Sequence, residues 1–213
     1  MTKHLKTAQS VPSLFDKPAK DRILEASDKL FRMYGVRVNL LAIAKEAGSN
    51  LETVAKHYGF HERLVSLFLS SLIEQAEQYW REVEQKHPSD AEGALRFWVF
   101  YQAGRSDDPF DPDRLLSRSA AELEGGYPKN PLLVEIEHHW QAERRRLARL
   151  CKAANFREPG DLADKLLLLV HGLRNERGAF GHHAPSRVLH QAADDLMVAH
   201  GATRKPPLSW NED

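Results

Sequence analysis

Apolar residues along this chain recur at intervals of three and four, and strict alternation is nowhere sustained. The pattern therefore predicts helices and no strand. Ile23, Ala26, Leu30 and Phe31 share one face of a first helix over 18–34, opened by Pro18 and stopped by Gly35. Short helices over 39–46 and 50–57 follow, separated by Ala47-Gly48. Gly59 breaks the pattern before a long helix from His61 toward Lys86, with Leu64, Leu67, Phe68, Leu72 and Ile73. Ser89-Asp90-Ala91-Glu92 reads as a capping box ahead of a helix carrying Phe97, Trp98, Phe100 and Tyr101. Asp111-Pro112 and Asn130-Pro131 each set a capping side chain before a proline suited to the first turn. The helices they open end at Gly125-Gly126 and near Ala154, and Pro159-Gly160 and Pro185-Ser186 open two more, over about 160–178 and 186–200. The fold class expected is all-α with about nine helices.

The segment from Leu40 to Val54 carries the most information. Two short helices joined by a tight turn need a small residue where they cross, supplied by Ala44. They also need a turn residue tolerant of positive φ, supplied by Gly48. Leu40, Ile43, Ala47, Leu51 and Val54 are the expected apolar wedge between them, and Ser49 and Asn50 both offer a cap to the second helix. This is a helix-turn-helix pattern, whose second helix enters the DNA major groove.

Composition sharpens that reading. The chain has 213 residues and a formal net charge of zero, yet residues 1–61 hold ten Lys/Arg against six Asp/Glu. That end is +4 and the remainder −4, as for a polyanion-binding module on an acidic body. One cysteine excludes an internal disulfide and Cys-rich zinc sites. The longest apolar run, Leu166 to Val170, is far short of the ~20 residues that cross a bilayer. Lys3 and Lys6 lead into no apolar stretch, so a cytoplasmic protein is expected. No nucleophile–base spacing, P-loop or Gly-rich dinucleotide turn occurs, so neither enzyme activity nor a cofactor is expected. Gly59 interrupts the His57/His61 pair, and the adjacent pairs His138-His139 and His182-His183 point apart on a helix; no metal site is expected. Asp107, Asp108, Asp111 and Asp113 lack the spacing of a calcium loop and read as a solvated loop.

Residues 21–67 resemble the N-terminal domain of the TetR family of transcriptional regulators. The resemblance rests on Ile23-Leu24-x-Ala26, Leu30-Phe31, Tyr34-Gly35, Ile43-Ala44-x-x-Ala47-Gly48, Thr53-Val54, His57-Tyr58 and Glu62-x-Leu64. It implies a three-helix DNA-binding domain over 17–61 and a helical effector-binding and dimerisation domain over 62–203. Loosely held tails over 1–16 and 204–213 complete the expected organisation. It also implies a homodimer on an operator with inverted half-sites, acting as a repressor that a small-molecule effector releases. Three positions depart from the family's pattern: Ala55 replaces a usual Tyr, Phe60 a capping Ser/Thr, and His61 a usual Lys. The alternative reading is a helical ligand-binding or protein-interaction module with weak or lost DNA binding.

The residues expected to touch DNA are Asn39, Lys45, Asn50, Glu52, Thr53, Lys56, His57 and His61. Asn can pair with adenine and Glu can accept from cytosine, while Lys and Thr suit phosphate. Phe97, Trp98, Phe100 and Tyr101 are too crowded for one helix face, so some must face a cavity or a neighbouring helix. An apolar effector cavity is expected, with Trp98, Tyr101, Trp140, His171 and Arg174 at it. The apolar stripe over 162–173 is wider than one core requires. Leu162, Leu166, Leu169 and Leu173, with Leu189, Ala193 and Leu196, are the expected dimer interface.

Overall fold

The computed structural model describes residues 17–105, 108–125, 130–175 and 184–204. The expected tails, apart from Arg204, lie outside the described residues, as do Asp107, Gly126, His182 and His183. Among the described residues there are nine α-helices and no strand. They are α1 (Ala19–Tyr34), α2 (Leu40–Glu46), α3 (Leu51–Tyr58), α4 (His61–Lys86), α5 (Ala91–Gly104), α6 (Pro112–Leu123), α7 (Pro131–Ala153), α8 (Pro159–Asn175) and α9 (Ala184–Ala199). No helix is long and apolar enough to cross a membrane among the described residues.

Capping side chains set most of these boundaries. Asn39, Asn50, Asp90, Asp111 and Asn130 each accept a hydrogen bond from a backbone N–H of the first turn, satisfying donors that the helix cannot. The fifth helix is therefore capped by Asp90 and not by Ser89, the first residue of the expected box.

The chain divides into two compact units, Met1–Phe68 and Leu69–Asp213. In unit 1, α1, α2 and α3 pack on a core of Ile23, Phe31, Ile43, Val54 and Leu64, all fully buried. Phe31 meets Phe68 at a ring separation of 5.4 Å. Unit 2 buries α5 among α7, α8 and α9. Trp98 stacks on Trp80 at 6.1 Å inside that cluster, and Leu95, Leu147, Leu162 and Leu166 are fully buried beside it. Burial on both sides explains why α5 carries aromatics on more than one face: each face has its own covering helix.

Candidate nucleic-acid interface and a buried polar cluster

The turn between α2 and α3 is fixed from several sides. Gly48 adopts φ 57, in the left-handed region where a Cβ would be strained. The Gly48 N–H donates to the Lys45 carbonyl at 3.1 Å and the Ser49 N–H to that of Ala44 at 2.9 Å. Arg22 of α1 reaches across to the Ala47 carbonyl at 3.0 Å, and the Tyr58 hydroxyl donates to the Lys20 carbonyl at 2.9 Å. The helix α3 is thus held against α1 at both its entrance and its last turn. Of the expected wedge, Ile43, Ala47 and Val54 are buried and Leu40 is half-buried, and Ala44 is buried at the helix crossing.

Of the residues expected to touch DNA, Lys45, Glu52, Lys56 and His57 are exposed and Thr53 is half-buried. The two asparagines have structural duties. Oδ1 of Asn39 caps α2 through the Ala42 N–H at 2.9 Å, and Oδ1 of Asn50 caps α3 through the Thr53 N–H at 2.8 Å. Paired recognition of adenine uses both the amide oxygen and nitrogen, and the cap already engages one lone pair of the Asn50 oxygen. His61 also departs from expectation. Its Nε2 lies 2.7 Å from the Val38 carbonyl and its ring meets Phe31 edge-on at 5.7 Å, so it faces inward instead of toward phosphate.

Leu51 departs in the opposite sense. Expected in the wedge, it is 47% exposed, because α3 begins at Leu51 and the cap sets its first turn outward. Leu51 and Ala55, four apart, line one exposed strip beside Glu52 and Lys56. An apolar strip of this kind can meet thymine methyl groups in a major groove. Replacing Asn50 by Ala should cost about 1 kcal/mol in unit 1 through the lost cap. Urea denaturation of the Asn50→Ala variant measures it; an unchanged midpoint would remove the capping role.

The interior of unit 2 differs from an apolar cavity. Nη2 of Arg174, on α8, lies 2.9 Å from Asp113 Oδ2 of α6, 3.2 Å from Gln102 Oε1 of α5 and 3.5 Å from Glu143 Oε1 of α7. All four side chains are buried. His139 of α7 sits 3.8 Å from Asp113, and Arg105 pairs with Asp111 at 2.8 Å. Burial pushes the Asp113 carboxyl up, but the charge of Arg174, the contact with His139 and the charge of Arg105 together outweigh it and hold the group down to about 2. Burial pushes Glu143 upward, only partly opposed by Arg174. His171 falls to about 4 through burial and then the Arg174 charge, and stands neutral. Several atoms here have no hydrogen-bond partner among the described residues: Asp113 Oδ1, Glu143 Oε2, His139 Nε2, Ser119 Oγ, Tyr79 OH, and Nε and Nη1 of Arg174. Buried polar atoms are rarely left so.

The five residues expected at an effector cavity separate accordingly. Arg174 is in this cluster, and Trp140 packs edge-on against His171 at 5.4 Å with its Nε1 buried and unpartnered among the described residues. Tyr101 stacks on Tyr79 at 3.5 Å and is hydrogen-bonded by Arg105. Trp98 is instead a core residue, fully buried against Trp80.

The expected dimer interface needs a similar correction. Leu162, Leu166, Leu173, Leu189 and Ala193 are buried inside unit 2, where α5, α7 and the α8–α9 pair cover them. A side chain already enclosed by its own chain offers little to a second copy. Leu169 and Leu196 are half-buried, and Leu168, part of the wide apolar stripe but not of the expected interface set, is 74% exposed. Glu158, Asp161 and His200 bring ligand-type atoms within 4.8 Å of one another, also unforeseen. Asp161 is already paired with Lys165 at 2.5 Å.

No protein-family model matches the chain, and no curated protein matches it. Solved structures do. A TetR-family regulator from Streptomyces coelicolor, SCO4454, aligns over 86% of this chain and 96% of its own, with 17% identity and a TM-score of 0.73. One from Agrobacterium tumefaciens aligns over 86% and 98%, with 20% identity and a TM-score of 0.68. SmeT in complex with triclosan aligns over 92% and 99%, with 19% identity and a TM-score of 0.65. From the capped α2–α3 pair to the last helix of unit 2, the chain has the fold of TetR-family transcriptional regulators.

Proposed function

We propose that the chain is a TetR-like transcriptional repressor that binds an operator with inverted half-sites as a homodimer and leaves it on binding a small effector. The observation that carries this is α3 itself. It is capped at its start and held to α1 at its end, yet Leu51, Glu52, Ala55, Lys56 and His57 remain exposed along it. A helix so positioned with an unused outer face, on a net-positive segment, suits insertion into a major groove. Glu52 and the Leu51/Ala55 strip are the base readers; Lys45, Lys56 and His57 are phosphate contacts.

Unit 2 is the effector-binding and dimerisation part. A neighbour of the same fold carries triclosan, which supports a small-molecule effector. The effector shifts operator affinity only as far as it binds one state of the protein better than the other, and the coupling is reciprocal. The inward turn of His61 favours the second reading, a ligand-binding module with weakened DNA binding. Binding of duplex fragments from the source genome, followed against salt concentration, separates the two. Affinity should fall steeply with salt as phosphate contacts release counterions. No retention at any salt would establish the second reading.

A further inference from the structure

We infer that the buried polar cluster of unit 2 binds a small organic cation, a protonated amine that also carries an oxygen acceptor, with Glu143 as its counter-charge. This deepens the effector reading and rests on it.

The unpartnered atoms describe the ligand. Glu143 is 2% exposed, and its Oε2 has no partner among the described residues. The Tyr79 hydroxyl is in the same condition, and its phenol is held neutral by burial and by the nearby charges of Tyr101, Asp113 and Glu143, whereas Asp113 Oδ1 faces His139 Nε2 at 3.8 Å. Glu143 Oε2 and the Tyr79 hydroxyl project from α7 and α4, and both can accept a hydrogen bond. Arg174 adds two unused donors, Nε and Nη1, from α8. A complementary molecule therefore donates to the Glu143 carboxylate and offers the guanidinium an acceptor such as a hydroxyl or carbonyl oxygen.

Charge then selects among such molecules. Arg105 balances Asp111 at 2.8 Å and Arg174 balances Asp113 at 2.9 Å. Glu143, 3.5 Å from the same already engaged guanidinium, is the surplus negative charge. An unpaired buried charge is costly. A neutral ligand leaves it so, an anion doubles it, and a monocation closes the account.

A proton competes with the cation for Glu143. Burial favours the protonated Glu143 carboxyl. The groups facing it are Tyr79 on α4, Asp113 on α6, His139 on α7 and Arg174 on α8, and Arg174 in turn meets Gln102 on α5 and neutral His171. Amine binding should therefore strengthen from pH 6 to pH 8.

The test uses the full chain without DNA and two matched sets of probes. One is ethanolamine, ethylene glycol and glycolate; the other is 2-amino-1-phenylethanol, 1-phenylethane-1,2-diol and mandelate. Thermal shift and calorimetry at pH 6 and pH 8 should show at least one amine stabilising the protein at millimolar concentration. Its diol and carboxylate partners should bind about tenfold more weakly or worse, the preference should widen at pH 8, and Glu143→Gln should abolish it. Equal binding within both sets, stronger carboxylate binding, no shift by either amine, or an amine preference retained in Glu143→Gln overturns the inference. If unrelated compounds stabilise the protein and weaken operator binding while the amines do not, the effector reading stands and only its chemistry fails. If the amines bind but no operator exists, the regulator reading fails alone.

Discussion

Arg174→Met should lower the stability of unit 2 by about 3–5 kcal/mol at neutral pH, the cost of breaking a buried ion pair from one side. The methionine fills much of the volume, so the loss reflects charge more than packing. Asp113 loses the strongest of the groups that together hold it down to about 2, and Glu143 loses its nearest positive charge. The sign of the pH dependence follows. A carboxylate held below its ordinary range contributes stability above that range and loses it as pH falls toward its folded value. In the parent protein, Asp113 therefore stabilises at neutral pH and ceases to do so only as pH falls from ordinary carboxylate values toward about 2. In the variant both carboxyls take up protons readily, so its deficit should be largest at pH 7 and shrink on acidification. Glu143, held above its ordinary range, has the opposite sign in the parent: its contribution is lost as pH rises through its folded value. Urea titrations at pH 7 and pH 4.5 measure both effects. A loss under about 1 kcal/mol at pH 7 would show that the cluster is solvated and not buried.

Glutamate at Leu166 and at Leu168 should have contrasting consequences. Leu166 is fully enclosed by its own unit, so a carboxylate there costs several kcal/mol and should unfold unit 2 or leave it loosely packed. Leu168 lies two residues on and faces outward. Leu168→Glu should leave the monomer within about 0.5 kcal/mol of the parent, as a surface change does. If α8 forms the seam of a homodimer, it should dissociate that dimer, because the charge meets its own copy across a two-fold axis. Circular dichroism with sedimentation separates the outcomes. A Leu168→Glu protein that stays dimeric at micromolar concentration would place the seam elsewhere, and a well-folded Leu166→Glu protein would contradict the burial.

Much of the architecture was legible because local chemistry specifies it. Asn39, Asn50, Asp111 and Asn130 mark helix starts by their capping oxygens, and the structure uses each of them so. Gly48 was readable as a turn residue because few other residues tolerate its φ. What the sequence hides is which surface covers a given face. The leucines of α8 looked too many for one core, but α5, α7 and α9 of the same chain approach from different directions and enclose most of them. Periodicity states the width of an apolar stripe and not the origin of its cover. Polarity at a distance is equally hidden. Asp113 looked like part of a solvated loop, Glu143 stood beside a run of arginines, and Arg174 followed the leucine run. Their meeting depends on tertiary packing alone. Asn50 and His61 show a subtler limit, since a residue type suited to DNA is equally suited to capping a helix or bonding a carbonyl.

The regulator reading is tested most directly by selecting fragments of the source genome on the purified protein and sequencing what remains bound after competitor and salt. A dimer presenting two copies of α3 should enrich an inverted repeat, with half-site centres about one helical turn, ~34 Å, apart or a multiple of it. Enriched positions should weaken selectively in Glu52→Ala, whereas Lys56→Ala should lower binding to all fragments alike and reduce its salt dependence. Recovery of an inverted repeat with that pattern is the predicted result. Fragments without a shared motif, bound equally by the parent and by Glu52→Ala, would contradict sequence-specific recognition by α3.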